Sequence, residues 1–362
     1  MKKRLLSWLL VLTMVISLIP STLVTTAFAA DAAGSGVDIT GAQPLTLNAD
    51  SDTAITAGGT YTVSGSSTHS IVIGADAADG TAATKVNVTL VLNGLKINSA
   101  TSPIQILGGS ELTLVLADGT ENVLNCTKIG NAGKFDTSAG AGILCEFGAK
   151  LTIDKAQGDA GTGSLTVTGG YGGAGIGGGR LDSLYTATRA KDGSSSTIYY
   201  NHRNCQDNPG GYWGGTGGQG GLYGTDAGQA GDVTINAGRL TITGGLGGAG
   251  IGGGMGAAGE AGKAGEQGGH TYLNYYDKQV PGGWFASGGG GGGTGGNGGR
   301  GGSGGYVTVN GGTITVSGGK FTLTRNGASV EVIPASIGGG AGGIGGAGGK
   351  GGPGPGDPGS GR

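Results

Sequence analysis

Ser164–Gly179 reads SLTVTGGYGGAGIGGG, and 75 residues later Arg239–Gly254 reads RLTITGGLGGAGIGGG. Val233-Thr234-Ile235-Asn236 precedes the second copy. Its counterpart Val307-Thr308-Val309-Asn310 follows 74 residues on and leads into Thr313-Ile314-Thr315-Val316-Ser317. The unit is therefore a strand, a glycine turn, a second strand, a Gly-Gly turn and GAGIGGG. Side chains alternate between the faces of a strand, so Val233, Ile235, Leu240 and Ile242 point inward while Thr and Asn point out. Ile176 and Ile251 supply the core of a third face. Corners between such short faces need left-handed or crowded backbone, which glycine accepts without a Cβ penalty. Three faces joined by glycine turns predict an all-β fold, one triangular coil of a parallel β-helix per unit.

The same grammar extends towards the N-terminus. Tyr61–Val63, Ser70–Ile73, Val86–Leu92, Ile104–Ile106, Leu112–Leu116, Leu151–Ile153 and Leu165–Val167 are short, alternating and β-branched, and so read as half-buried strands. VTLVLN (88–93) resembles LTLVLA (112–117) at a separation of 24, which favours a solenoid over a sandwich. Composition agrees. Glycine makes up 91 of 362 residues, which excludes a helical bundle because each helical glycine costs about 1 kcal/mol relative to alanine. Nine prolines exclude full-length collagen. A net charge of −2 does not expand the chain as it would a disordered polyelectrolyte.

Two insertions of about 50 residues, Arg180–Gly231 and Met255–Gly305, account for the long period and align with each other. Each has an aromatic head, Tyr199-Tyr200 to Tyr212-Trp213 in the first and Tyr275-Tyr276 to Trp284-Phe285 in the second. Each has a tail of Gly-Gly-x triplets, which recur around Ala341, Ile344, Ala347 and Lys350. A repeat of three is that of an extended polyproline-II-like helix. With glycine on two of three faces, such segments can approach closely enough to hydrogen-bond, so a polyglycine-II-like bundle beside the β-helix is expected. Gly256–Gly268 also spells four Gly-x-y triplets, too few without proline for a collagen triple helix. The expected organisation is a leader (1–29), β-helix (37–179), insertion (180–231), coil (232–254), insertion (255–305), coil (306–337) and a Gly/Pro-rich tail or linker (338–362).

Lys2, Lys3 and Arg4, an apolar run Leu5–Ile19, Pro20 and Ala27-Phe28-Ala29 spell a secretory signal peptide cleaved after Ala29. Removing it leaves a weakly acidic chain, a poor partner for nucleic acid, with no later segment able to span a membrane. Cys126 and Cys145 are 19 residues apart, about one solenoid turn, so a disulfide and two buried thiols are both open readings; Cys205 lies in an insertion. No Cys-x-x-Cys pair is present for zinc.

ITAGGTYTVSG (55–65), VTLVLNGLKINSATSPIQI (88–106) and ELTLVLADGTENVL (111–124) resemble the bacterial secreted carbohydrate-binding domain-containing proteins. The resemblance implies a right-handed parallel β-helix similar in shape to pectate lyases, in a family with members that bind polygalacturonate and calcium. The GAGIGGG units resemble glycine-rich repeats of large Gram-positive surface proteins. Together these imply a secreted or cell-surface protein whose partner is a polysaccharide, an acidic one included, or a surface glycan.

The residues themselves show no converging catalytic set. The three histidines, His69, His202 and His270, fall in no HExxH motif. Carboxylates cluster at turns: Asp50 with Asp52, Asp76 with Asp79, and Asp118 with Glu121. They can cap turns or, less simply, hold calcium. Tyr212, Trp213, Trp284 and Phe285 are the carbohydrate-binding candidates, since aromatic rings stack on the apolar faces of sugars. Their other reading is a local core, which would leave a purely structural or adhesive surface module. Thr-x-Thr at 166–168, 241–243 and 322–324 could bind ice as a flat hydroxyl array. A pectate-lyase-like enzyme is the remaining, weaker reading.

Overall fold

The structure, a computed structural model, describes residues 27–29, 36–75, 83–107, 109–127, 140–179, 191–194, 217–220, 222–223, 226–266, 270–275, 278–286, 291–325, 328–343, 345 and 347–351. The alternating Val, Ile, Leu and Thr phrases form the strands, and the strands stack mostly in parallel. The chain is all-β, with no helix among the described residues.

Strand Asn87–Ser99 organises the stack. Its first half pairs in parallel with Gly59–Val63 on one side and Leu112–Leu116 on the other. Its second half pairs with Gly65–Ser67 and with Val123–Cys126. From it one arm runs through Lys150–Asp154 and Asp232–Ile235 to Val307–Val309. The other arm runs through Ser164–Thr168 and Arg239–Leu246 to Gly312–Gly319. A separate seven-stranded parallel sheet collects Thr53–Ile55, Ile71–Ile73, Ile104–Ile106, Ile143–Cys145, Ile176–Gly177, Ile251–Gly252 and Ile337–Gly338. The chain visits the three ladders in the same order at each rung. Registers follow the repeats read from the sequence: Val88 stacks on Leu112, Leu165 on Leu240 and Ile176 on Ile251. On the first arm one outward threonine column, Thr60-Thr89-Thr113-Thr152-Thr234-Thr308, crosses six rungs.

The inward residues make one continuous core, in which Ile104, Ile143, Ile176 and Ile251 are at most 1% exposed. Burying each such side chain stabilises the fold by about 1.5–3 kcal/mol. Asn122 stands at an inward position of its strand. It stays buried because its Oδ1 accepts from Leu95 N–H at 2.9 Å and its Nδ2 donates to Ser164 O at 3.1 Å, tying three rungs together. A second, small core lies outside the first arm. Val37 and Ile39 pack on Val91, Val115 and Ala156, and Val37 bridges Ala156 in parallel.

Cys126 and Cys145 are buried, and no disulfide joins them. Their 19-residue spacing is not a full turn. Cys126 stacks over Ser99 in the arm of Val123–Cys126, whereas Cys145 stacks over Ile106 in the seven-stranded sheet. Burial, with the Asp232 charge second, pushes the Cys145 thiol up to about 12. Cys205 lies outside the described residues.

The glycine tails are tied together at every third residue. Gly293, Gly296, Gly299 and Gly302 donate to the carbonyls of Lys263, Glu260, Ala257 and Gly254, an antiparallel register. Gly256, Gly262 and Gly265 donate to Ala341, Ala347 and Lys350 in parallel register, and Gly340, Gly343 and Gly349 close the triangle on Gly302, Gly299 and Gly293. Residues 256–265, the triplets that could have read as collagen, are one side of this bundle. A Cβ on Gly343 would run into the Ala257 carbonyl, while one on Gly342 would meet its nearest atom, Gly299 O, at 3.6 Å.

Two predictions follow from this packing. Gly343→Ala is expected to lower stability by about 1–3 kcal/mol through overpacking, and Gly342→Ala to leave it unchanged, as read by urea unfolding of the two variants. Cys145 favours the folded state only while its thiol stays protonated. Its contribution is full below the ordinary thiol pKa of 9.0 and is lost as pH rises from there towards 12. The stability difference between the native chain and Cys145→Ala should therefore shrink by up to about 1.4 kcal/mol per pH unit above that point.

Candidate functional site

Where the second arm hands the chain to the seven-stranded sheet, each rung ends in Thr-Gly-Gly or its equivalent. In successive rungs these ends are Asn125-Cys126-Thr127, Thr168-Gly169-Gly170-Tyr171, Thr243-Gly244-Gly245-Leu246 and Gly318-Gly319-Lys320, and together they line a groove of about 680 Å³. The groove runs across the strands, along the stacking direction. Four rungs, separated by three spacings of about 4.8 Å, give it a length of about 15 Å.

Glycine makes the floor. A Cβ on Gly245 would strike the Gly170 carbonyl, and one on Gly319 would strike the Gly245 carbonyl. The rungs can touch backbone to backbone at this corner only if that column carries no side chain. The residue after each glycine pair escapes the constraint, and there Tyr171, Leu246 and Lys320 follow one another on three consecutive rungs. Tyr171 is half-buried, Leu246 is 40% exposed, and Lys320 lies 3.9 Å from Glu331. The hydroxyls of Thr168 and Thr243 belong to the same lining, and Thr243 lies 3.4 Å from the Ser317 hydroxyl. The lining thus combines an aromatic ring, an aliphatic side chain, hydroxyls, an amide, the Cys126 thiol and one cation, and is equipped to bind a polar, ring-bearing ligand.

The residues singled out from the sequence fall elsewhere. Tyr212 and Trp213 lie outside the described residues. Trp284 and Phe285 lie on strand Lys278–Ala286 of an antiparallel pair, opposite Tyr272 and Thr271. The Asp52 carboxylate accepts from Ser70 N–H at 2.8 Å. Asp118 accepts from the N–H groups of Ala160 and Thr162 at 2.7 and 2.8 Å, and these two bonds hold its carboxyl below the usual range. Both are turn caps. Asp76 and Asp79 lie outside the described residues, and among the described residues no three His, Cys, Asp or Glu side chains converge on a metal position. The threonine array is corrected in one member. Thr166 stacks on Thr241 and Thr315, and Thr168 on Thr243 and Ser317. Thr322 and Thr324 instead lie on a separate antiparallel hairpin, Phe321–Arg325 with Ala328–Val332.

Tyr171 was not singled out, although one signal pointed to it. Gly169–Gly179 contains two large side chains, and Ile176 is accounted for by the core.

No curated protein and no solved structure matches the chain. Residues 49–183, which include the first two rungs of the groove with Tyr171, match the model of a family described as carbohydrate-binding domain-containing protein.

Proposed function

We propose that this is a secreted, non-catalytic polysaccharide-binding protein of a bacterial surface, and that the glycan lies in the groove of Tyr171, Leu246 and Lys320. The observation that carries the reading is the groove itself: a straight channel with a backbone floor and an aromatic wall, beginning inside the segment matched by the carbohydrate-binding family model. A polysaccharide is a linear repeat, and a groove crossing stacked rungs offers it partners at regular intervals of about 4.8 Å. The Tyr171 ring supplies a stacking face, Leu246 extends the apolar strip, and the threonine hydroxyls meet sugar hydroxyls. Lys320 at one end favours a glycan that bears carboxylates.

In this reading the parallel ladders are the faces of a right-handed β-helix, and the three-residue hydrogen-bonded segments are a polyglycine-II-like bundle at its side. Secretion rests on the leader 1–29, and an adhesive role on the GAGIGGG repeats. Tyr212, Trp213, Trp284 and Phe285 form a second stacking candidate for the same ligand class.

Binding to a panel of soluble plant and bacterial polysaccharides, acidic ones included, tests the proposal. Tyr171→Ala should weaken the bound member about tenfold, equivalent to about 1.4 kcal/mol, with unchanged thermal unfolding. Loss of binding in Trp213→Ala or Trp284→Ala with Tyr171→Ala unaffected would move the site to the insertions. Failure of the native chain to bind any member would leave the structural-module reading in its place.

A further inference from the structure

One wall residue of the groove is charged, and it already faces a carboxylate. Among the described residues of the lining, Lys320 alone carries a charge. Its Nζ lies 3.9 Å from Oε1 of Glu331, a residue outside the lining. The chain makes a detour that brings the two together. On the Tyr171 rung, residues 169–175 link the second arm to the seven-stranded sheet, and on the Leu246 rung residues 247–250 do so. On the Lys320 rung the link is 320–336, and it contains the hairpin of Phe321–Arg325 with Ala328–Val332. Lys320 stands at the root of this hairpin. Glu331 pairs in register with Thr322, two residues from Lys320, so the returning strand brings its carboxylate back to the root.

We infer that Glu331 is a specificity-determining residue of the groove: its carboxylate is a tethered competitor for Lys320, which a carboxylate of the glycan has to displace. The inference rests on the groove reading above and deepens it.

The pair is built to exchange. Both side chains are exposed, so water screens their attraction and holds it weak. Because Glu331 is on the same chain as Lys320, it competes at a fixed effective concentration however dilute the protein. A glycan carboxylate that approaches Lys320 also meets the like charge of Glu331, and gains less than it would from an unpaired ammonium. A neutral glycan makes no use of the charge and is indifferent to Glu331. Tyr171, Leu246 and the threonine hydroxyls serve both kinds of ligand alike. Discrimination between them is a difference of affinities, and the Lys320–Glu331 pair is where that difference is set.

Titration calorimetry of the protein with a polyuronate, and with the same polymer after carboxyl reduction, tests the inference. Glu331→Gln should tighten the polyuronate about two- to fivefold, the range of an exposed ion pair, and leave the carboxyl-reduced polymer unchanged. In a Lys320→Gln background, Glu331→Gln should lose most of that effect. Polyuronate binding that is unchanged or weaker in Glu331→Gln overturns the inference, as does an undiminished gain in the Lys320→Gln background. An equal change for both polymers, accompanied by a shift in thermal unfolding, assigns the pair to holding the hairpin and also overturns it. Tyr171→Ala reports on the groove by itself, because it should weaken both polymers. If neither polymer binds to the native chain or to Glu331→Gln, the groove reading falls and this inference with it. If both proteins bind the carboxyl-reduced polymer alone, the groove stands and the role of Glu331 falls.

Discussion

Backbone carbonyls occupy the places where Cβ atoms would stand, and the rest of the molecule depends on that constraint. At the corners of the stack, Gly170 faces Gly245 and Gly245 faces Gly319; Gly173 faces Gly248; Gly252 faces Gly338. In the bundle, Gly256, Gly259 and Gly262 stand in the same relation to Gly299, Gly296 and Gly293. Sheet strands sit about 4.8 Å apart, and a tight corner repeated at that spacing brings one rung's carbonyl onto the next rung's Cα. Glycine at these columns is a steric requirement, separate from its use at positive φ in turns such as Gly94 and Gly119, where a Cβ would meet nothing within 4 Å.

The groove is a consequence of the same requirement. A column that lacks side chains on three successive rungs, at Gly170, Gly245 and Gly319, is a trench, and its walls begin at the first position where side chains are allowed again. That position holds Tyr171, Leu246 and Lys320. The chemistry of the groove can therefore change from rung to rung while its floor stays fixed. The isoleucine column inside supplies the stability that the glycine corners cannot. Glycine loses more conformational freedom on folding than any other residue, and the buried column of Ile104, Ile143, Ile176 and Ile251 offsets that loss.

The sequence made the ladders legible because inward and outward residues alternate without interruption. Val233, Ile235, Leu240, Ile242, Ile176 and Ile251 are all buried at the positions their phrases assign. The three-residue period of the tails likewise corresponds to hydrogen bonds between them. Features that break the alternation were opaque. Val91 and Val115 are apolar at outward positions because Val37 and Ile39 cover them, and nothing local announces a strap contributed from more than 50 residues away. Asn122 is polar at an inward position because its partners come from the rungs on either side. Thr322 and Thr324 resemble rung residues in spacing, but the hairpin that carries them leaves the stack. The groove left the faintest trace of all, since a site whose floor is glycine carries no signature residue except the one ring that rises from it.

The glycine bundle shows why the two insertions and the segment after Gly338 act together. A single extended glycine strand has no internal hydrogen bonds, and each bond it gains nets only about 1 kcal/mol, against a backbone entropy loss of about 1–2 kcal/mol per residue fixed. One contact face cannot hold such a strand. Here residues 254–265, 291–302 and 340–349 each bond to both of the others, so every segment is held on two sides. The insertion after Gly252 supplies the first two of these segments, and the chain after Gly338, one rung further on, supplies the third. The first insertion joins them through Gly218, which donates to the Gly291 carbonyl, and Gln219, whose carbonyl accepts from Lys263. Exits one rung apart set the segments after Gly252 and Gly338 side by side and running the same way, and this is the parallel pair of the bundle: the in-register stack fixes a geometry that the glycine repeats alone do not contain.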